Sequence, residues 1–234
     1  MQYQNLEKGV FIERKNRFVA EVELNGEIVG VHVPNTGRCR EIFVPGAEVY
    51  VNRAENKARK YPYTLCAVYK GDMLVHIDSA GANRLAEEAL KSGRVRGLEN
   101  ITEVEREKSY SNSRFDFRFK KGDQTCFMEV KGVTLENNGV AMFPDAPTER
   151  GARHLQELVK AKSEGYGAYV MFVVQMKGPH CFKPHVERDR NFTLNLVKAQ
   201  NAGVEIMAYD SLVSPDMIAL DSLIDVILPD EEDI

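Results

Sequence analysis

The sequence predicts two consecutive domains, a small β-barrel over residues 1–80 and an α/β domain with a mixed sheet over residues 81–234. The first 80 residues carry short strand patterns and no helical pattern. From residue 81 onward, helical patterns and strand patterns follow one another, which is typical of an α/β domain. A chain of 234 residues is long enough for two modest domains.

The barrel is predicted from five strand patterns separated by turn residues. Asn25-Gly26 is a strong signal for a two-residue hairpin turn, and Lys70-Gly71-Asp72 forms a second turn. The strands are expected at residues 18–24, 27–33, 48–52, 63–69 and 73–77. Five strands within about 75 residues match the size of an OB-fold.

The α/β domain begins with a helix at residues 82–91, which places Leu85, Ala86, Ala89 and Leu90 on one side. The apolar run 168–174 is typical of a buried central strand. Further helices are expected at 148–163 and 190–202, and further strands at 101–108, 114–120, 126–135 and 204–209. We expect 204–209 to be the last strand, with an acidic tail after it.

Composition excludes several classes of protein. With 43% hydrophobic and 28% charged residues the chain is globular. It has no apolar run long enough for a membrane span and no signal-peptide pattern at its start. The four cysteines are widely spaced, as in a reduced cytoplasmic protein. We therefore expect a cytoplasmic protein without a membrane partner.

The net charge of −4 hides an uneven distribution. Residues 209–234 contain eight acids and no Lys or Arg, so the rest of the chain has 31 basic and 27 acidic residues, about +4. Basic residues cluster at 14–17, at 38–40 and at Arg53, Lys57, Arg59 and Lys60. A polyanion could bind such clusters through counterion release. Ordinary solvated surface charge is equally consistent with the composition.

Residues 113–132 predict a hairpin with an unusual charge pattern. If Gly122-Asp123 forms the turn, Lys121 faces Gln124 and Asp116 stands opposite Glu129. Lys131 then lies on the same face, while the apolar side chains of the hairpin, Phe115 and Phe117 among them, form the core face. Two opposed carboxylates repel each other. Either neighbouring basic side chains neutralise them on a solvated face, or they hold a divalent cation such as Mg²⁺ or Mn²⁺.

Asp116 followed by Glu129-Val130-Lys131 resembles the signature of the PD-(D/E)XK nuclease superfamily. More specifically, FDF, EVKGVTL and FPDAPTERGARHL, with HVPNTGR and NRLAEEAL upstream, resemble the sugar fermentation stimulation protein A family over nearly the whole chain. The resemblance implies an OB-like domain joined to a restriction-endonuclease-like α/β domain. It also implies DNA binding without sequence specificity and a regulatory role in bacterial sugar (maltose) metabolism.

Carried over by this resemblance, Asp116 and Glu129 are the expected metal ligands and Lys131 the expected catalytic lysine. In NRLAEEAL the resemblance favours Glu88 as a further catalytic acid, although helix geometry alone does not choose between Glu87 and Glu88. The chain departs from the superfamily pattern in having Phe115, not proline, before Asp116.

Several basic residues are candidates for nucleic-acid contact. Arg38 ends the loop 34–38, which is either a phosphate-contacting loop or a plain turn. Arg59 and Lys60 lie beside tyrosines at 61 and 63 that could stack on bases. Arg150 and His154 lie four residues apart on the polar side of the helix 148–163, where they either contact phosphate or form a charged helix face.

We expect nucleic acid, DNA foremost, as the partner, and the sequence leaves a homodimer open. The best-supported function is DNA binding, and a Mg²⁺-dependent nuclease acting on DNA or RNA is the alternative. A sugar-metabolism factor that binds no nucleic acid is a third hypothesis. Opposed carboxylates would repel phosphates unless they hold a cation, so the acidic pair itself favours metal chemistry.

Overall fold

The computed structural model describes residues 1–35, 37–54, 56, 58–111 and 113–234. Thr36 of the predicted phosphate loop and Lys57 of the predicted basic cluster lie outside the described residues. Within the described ranges, no helix combines the length and the apolar character needed to cross a bilayer. All four cysteines are described, and each is a buried free thiol.

The N-terminal strands form a closed barrel, which confirms the predicted OB-like fold. The strands are β1 (Leu6–Asn16), β2 (Val19–Leu24), β3 (Glu27–His32), β4 (Glu48–Arg53), β5 (Tyr63–Lys70) and β6 (Met73–His76). Their order is β3-β2-β1-β4-β5-β6, and a parallel pairing between β3 and β5 closes the ring. Asn25 and Gly26 both have positive φ, as the predicted hairpin turn requires.

The first strand, β1, was not predicted, although it pairs with both β2 and β4. Only Gly9 and Phe11 of this strand are buried, so the sequence lacks the alternating apolar pattern of a strand. Gly9 lies where a side chain would collide with β2, because a Cβ atom there would be 2.7 Å from the carbonyl oxygen of Glu23.

The C-terminal part is an α/β domain with a mixed sheet, as predicted, and its helices cover both faces of the sheet. Its strand order is β10-β11-β13-β15-β14-β12-β9-β8-β7. The strands are β7 (Ile101–Tyr110), β8 (Ser113–Lys121), β9 (Gln124–Val133), β10 (Leu135–Asn137), β11 (Val140–Phe143), β12 (Gly167–Val174), β13 (Cys181–Pro184), β14 (Glu205–Ser214) and β15 (Met217–Val226). The helices are α1 (Ser79–Lys91), α2 (Glu149–Ser163), α3 (Arg190–Asn201) and a short 3₁₀ helix (Glu231–Asp233).

The sheet separates two hydrophobic clusters. One cluster packs α1 against β8, β9 and β12. The other runs from the barrel interior to the face covered by α2 and α3. Every residue of β12 is buried, which confirms the predicted central strand. The end of β12 also meets the barrel, since the His76 amide donates to the Gln175 carbonyl at 2.8 Å.

The prediction that the chain ends in an acidic tail after a last strand at 204–209 is wrong. Residues 217–226 form β15, which pairs with β14 and buries Ile218 and Leu220. Its aspartates did not indicate a strand, but Asp221 and the buried Asp210 of β14 share the ammonium of Lys177, at 2.5 and 2.7 Å. Pairing across the sheet therefore stabilises a segment whose charge resembles that of a disordered tail.

The close pairing of β9 and β12 provides a test of the packing. Gly167 is paired with Cys126, and a Cβ atom at residue 167 would overlap the Cys126 sulfur. We expect Gly167→Ala to lower the free energy of unfolding by about 1–3 kcal/mol. In a Cys126→Ala background the loss should be smaller by at least about 0.5 kcal/mol. Urea denaturation of the four proteins of this cycle measures the difference, and equal losses in both backgrounds would contradict the packing.

Candidate metal and nucleic-acid site

The predicted register of the hairpin is confirmed. β8 and β9 are antiparallel, with Lys121 opposite Gln124 and Phe117 opposite Met128. The paired residues stop at Phe117 and Met128, so Asp116 and Glu129 lie just beyond the ladder, at the position where this register would continue. At that point the Val130 amide donates to the side chain of Asp116, to Oδ2 at 2.8 Å.

The core face of the hairpin is predicted correctly for its inner part. Phe117 and Phe119 pack in the α1 cluster. Phe115 is also buried, but it packs with Phe127 in the cluster on the α2 side. The alternation therefore breaks at Asp116, and opposite this point Glu107 of β7 has a positive φ of 54°.

A residue of α1 that the sequence analysis did not consider completes the binding of Asp116. Asn83 Nδ2 donates to Asp116 Oδ1 at 2.8 Å. Each carboxylate oxygen of Asp116 therefore accepts one hydrogen bond, which holds the side chain in one orientation. Asn83 is the first residue of NRLAEEAL, and its amide carries no charge that would mark it as a metal-site residue in the sequence.

Glu129 is the more deeply buried acid of the pair, at 3% exposure. Its Oε1 accepts from Lys131 Nζ at 2.5 Å and from His154 Nδ1. Its Oε2 is buried without any hydrogen-bond partner among the described residues. A buried carboxylate oxygen left unsatisfied is costly, so a ligand that completes it is favoured.

The expectation that His154 faces solvent or phosphate from the polar side of the helix is wrong. His154 is 6% exposed, contacts Glu129, and packs edge-on against Phe115 with 6.2 Å between the ring centroids. Arg150 remains exposed at the start of α2, and its Nε donates to His154 Nε2 at 3.3 Å. The buried face of α2 is wider than the pattern predicted, because α2 packs against both the sheet and α3.

The two carboxylates have opposite pKa shifts. Burial, reinforced by the charge of Glu129, raises the pKa of Asp116 to about 6. Burial also acts to raise the pKa of Glu129, but the hydrogen bond from His154 and the charge and hydrogen bond of Lys131 outweigh it and lower that pKa. Glu129 is therefore an anion over a wide pH range, whereas Asp116 is destabilised by its negative charge. A bound cation would relieve this repulsion.

These acids line one wall of a cleft between the barrel and the mixed sheet, about 1040 Å³ in volume. The barrel contributes Arg17, Arg38 and Arg40 to the lining, and all three side chains are exposed. In the described part of the chain none of the three forms a salt bridge. The cleft thus brings unpaired guanidinium groups and the acidic pair into one space.

Arg14 holds in place the backbone that carries the arginine wall, that is, the cleft-lining residues Arg17, Arg38 and Arg40. Its guanidinium donates to the carbonyls of Arg17, Asn35, Gly37 and Arg38 at 2.6–2.9 Å. It also lies over the ring of Phe43, 4.8 Å from the centroid. Arg14 thereby joins the β1–β2 turn to the loop before residue 39, so that Arg17 and Arg38 line the same cleft.

Asp145 connects the second domain to the barrel loop that carries Arg38 and Arg40. It does not cap α2, because the capping side chain is Thr148, which accepts from the Gly151 amide at 3.0 Å. Asp145 Oδ2 instead accepts from the Cys39 amide on the barrel, at 2.8 Å. The motif FPDAPTERG therefore bridges the domains beside the cleft.

Three predicted site residues do not reach the cleft. Glu88, the expected further catalytic acid, pairs with the N-terminal ammonium at 3.3 Å and does not line the cleft. It lies five residues beyond Asn83, about 7.5 Å along the helix and on a different side. Arg59 contacts Thr64, and Lys60 lies over the Tyr61 ring, so neither shares the cleft with Asp116.

The residues present fit an oxygen-preferring cation with few protein ligands. Among the described residues no group of three or more His, Cys, Asp or Glu side chains could hold a metal. Asp116 and the unpartnered Glu129 Oε2 supply two carboxylates in one cleft. Mg²⁺ is often bound by one or two carboxylates, with water and substrate phosphates completing its shell.

Comparison with known proteins gives a consistent result along the chain. A family model described as the sugar fermentation stimulation protein RE domain matches residues 80–217. A second, the SfsA N-terminal OB domain, matches residues 12–77.

Similar proteins cover nearly the full chain. A sugar fermentation stimulation protein homolog of Clostridium botulinum (strain Hall) is 47% identical, covering 95% of this chain and 97% of its own. The homolog of Alkaliphilus oremlandii is 45% identical, covering 97% and 98%. The solved structure described as Pyrococcus furiosus SfsA in complex with Ca²⁺ has a TM-score of 0.89 and 28% identity, covering 97% of this chain and 98% of that one.

The pKa of Asp116 predicts a pH-dependent effect on stability. Because that pKa is higher in the folded chain, the folded protein binds more protons than the unfolded one between about pH 4 and 6. The contribution of Asp116 to stability therefore falls as pH rises through this window. We expect Asp116→Asn to raise the free energy of unfolding by about 1–3 kcal/mol at pH 7.5, and by much less at pH 4.

Urea denaturation without divalent metal at both pH values measures this effect. The exposed Asp225→Asn is the matched control, since it removes the same charge outside the cleft and should change stability little. A gain for Asp116→Asn that is equal at both pH values would contradict the assignment.

Proposed function

The chain belongs to the sugar fermentation stimulation protein (SfsA) family, and from that premise we propose that it binds the phosphodiester backbone of nucleic acid in its interdomain cleft. DNA is the partner we expect, bound largely without sequence specificity. Asp116 and Glu129 would hold a divalent cation in the same cleft. Arg17, Arg38 and Arg40 would contact phosphates along the strand.

The observation that carries this proposal is the composition of the two walls. Unpaired arginines on the barrel face two carboxylates, one of which has an unpartnered oxygen. Carboxylates alone would repel a phosphate, and a cation between them reverses that effect. The Ca²⁺ in the description of the Pyrococcus furiosus structure supports a cation of this class.

A second candidate function is hydrolysis of the phosphodiester bond, which Lys131 favours. Its side chain is 15% exposed, and its ammonium is paired with Glu129 in the cleft. It would offset the negative charge that develops on the phosphoryl oxygens during displacement. A bound Mg²⁺ or Mn²⁺ would supply a coordinated water with a lowered pKa as nucleophile. The residues of this chain would hold the cation and orient the phosphate.

The name of the relatives also suggests a role in stimulating sugar fermentation. We propose that any such role operates through nucleic-acid binding in the cleft. This links the regulatory function implied by the family to the same residues.

We expect Arg38→Gln/Arg40→Gln to weaken DNA binding and make it less salt-dependent. Each lost phosphate contact should lower the slope of log affinity against log salt by about 0.9. The matched control Arg59→Gln/Lys60→Gln removes the same charge outside the cleft and should leave the slope close to that of the wild type. Fluorescence anisotropy with labelled single-stranded and double-stranded DNA at 50–200 mM salt, roughly the range where counterion release is large, measures the slopes. Equal slopes in both variants would refute the arginine wall.

The cleavage test compares single- and double-stranded DNA and RNA with Mg²⁺, Mn²⁺ or chelator. We expect metal-dependent cutting that Glu129→Gln reduces by about 100-fold or more, since a cation supplies several kcal/mol to the transition state. Glu88→Gln is the control and should cut like the wild type. Salt-sensitive binding without cutting under either metal would leave only the binding function. Absence of salt-sensitive binding would overturn both functions.

A further inference from the structure

The two oxygens of the Glu129 carboxylate have different environments. Oε1 receives two hydrogen bonds, from Lys131 Nζ and His154 Nδ1, whereas Oε2 receives none among the described residues. A carboxylate with one oxygen held in this way has one orientation. Its free oxygen is then the one that can bind a cation.

The proton on His154 is assigned by its second contact. The Nε of Arg150 is always a donor, and it approaches His154 Nε2 at 3.3 Å. The Nε2 atom must therefore be the acceptor, which places the imidazole proton on Nδ1. The Nδ1–H group then donates to Glu129 Oε1. Arg150, His154 and Glu129 thus form a directional chain of hydrogen bonds that begins in the cleft.

We propose that His154 is a positioning residue for the cation site, orienting Glu129 so that Oε2 presents to a divalent ion. This rests on the proposed function, because it assumes a cation at Asp116 and Glu129. His154 would not touch the ion, the phosphate or the reacting atoms. Outer hydrogen-bond partners of this kind typically change metal affinity by about 10–100-fold when they are removed.

His154 is better suited to this task than Lys131. The imidazole is 6% exposed, is held on α2, and packs edge-on against Phe115. Lys131 has a flexible four-carbon stem, so its ammonium is free to leave Glu129 for a phosphate. When that happens, His154 is the remaining donor to Oε1. Glu129 thereby keeps its orientation while Lys131 binds the phosphate.

The test uses two amide substitutions that differ in where they place a donor. The asparagine nitrogen in His154→Asn occupies the position of Nδ1, one bond from Cγ, and can still donate to Glu129. The glutamine nitrogen in His154→Gln occupies the position of Nε2, one bond further out, and cannot. Both variants are polar and neutral, so the main difference between them is the position of the amide nitrogen.

Calorimetric titration of the full chain with Ca²⁺ and Mn²⁺ gives a readout independent of cleavage. We expect His154→Gln to raise the dissociation constant by about 10–100-fold and His154→Asn to remain within about threefold of the wild type. Leu155→Ala, at the next buried position of α2, is the matched control: it should lower the melting temperature without changing the dissociation constant.

The outcomes separate the two hypotheses. If the wild type binds neither ion, the cation site of the proposed function fails and the role of His154 fails with it. If the wild type binds but His154→Gln binds equally well, only the positioning role is overturned. Equal losses in both His154 variants would overturn it too, since the side chain would then matter for packing and not for donation.

Discussion

The structure depends on holding two like charges side by side at the end of a hairpin. Asp116 and Glu129 repel each other in a partly dry environment, and burial raises the pKa of Asp116 further. The fold compensates with donors from several elements: Asn83 on α1, the Val130 amide on β9 and His154 on α2. Helices on both faces of the sheet thus hold the two carboxylates, and one oxygen of Glu129 has no hydrogen-bond partner among the described residues.

Charged side chains also hold the backbone in place at the boundary between the barrel and the second domain. Arg14 uses its whole guanidinium to organise carbonyls of the barrel, which leaves other arginines unpaired at the cleft. Asp145 then fixes that wall to the second domain through the Cys39 amide. One charged residue on each side is therefore used for architecture. Arg38 and Arg40, which line the same cleft, form no salt bridge among the described residues, whereas Lys131 on the other wall is paired with Glu129.

Much of the fold could be predicted because its signals are local. The OB-like barrel follows from turn residues and strand spacing, and β12 from its continuous apolar run. The strands that escaped prediction are those with little buried surface or with many charges. β1 buries only Gly9 and Phe11, and β15 carries aspartates whose compensation lies in Lys177, far away in sequence. Both strands exist because their neighbours supply hydrogen bonds that no local pattern encodes.

The sequence by itself determined the register of the hairpin, which brings Asp116 close to Glu129. A two-residue turn sets the register, and alternation along the strand assigns each side chain to a face as far as Phe117, beyond which the alternation breaks. Only the tertiary structure decided the surroundings of that pair. In the structure the residue of α1 that contacts Asp116 is Asn83, whereas Glu88 pairs with the N-terminus. His154 is buried and contacts Glu129, and Arg17 and Arg40 line the same cleft. The hydrogen bonds of Asn83 and His154 to the two acids join residues 33 and 25 positions apart, and their geometry depends on how the helices pack on the sheet.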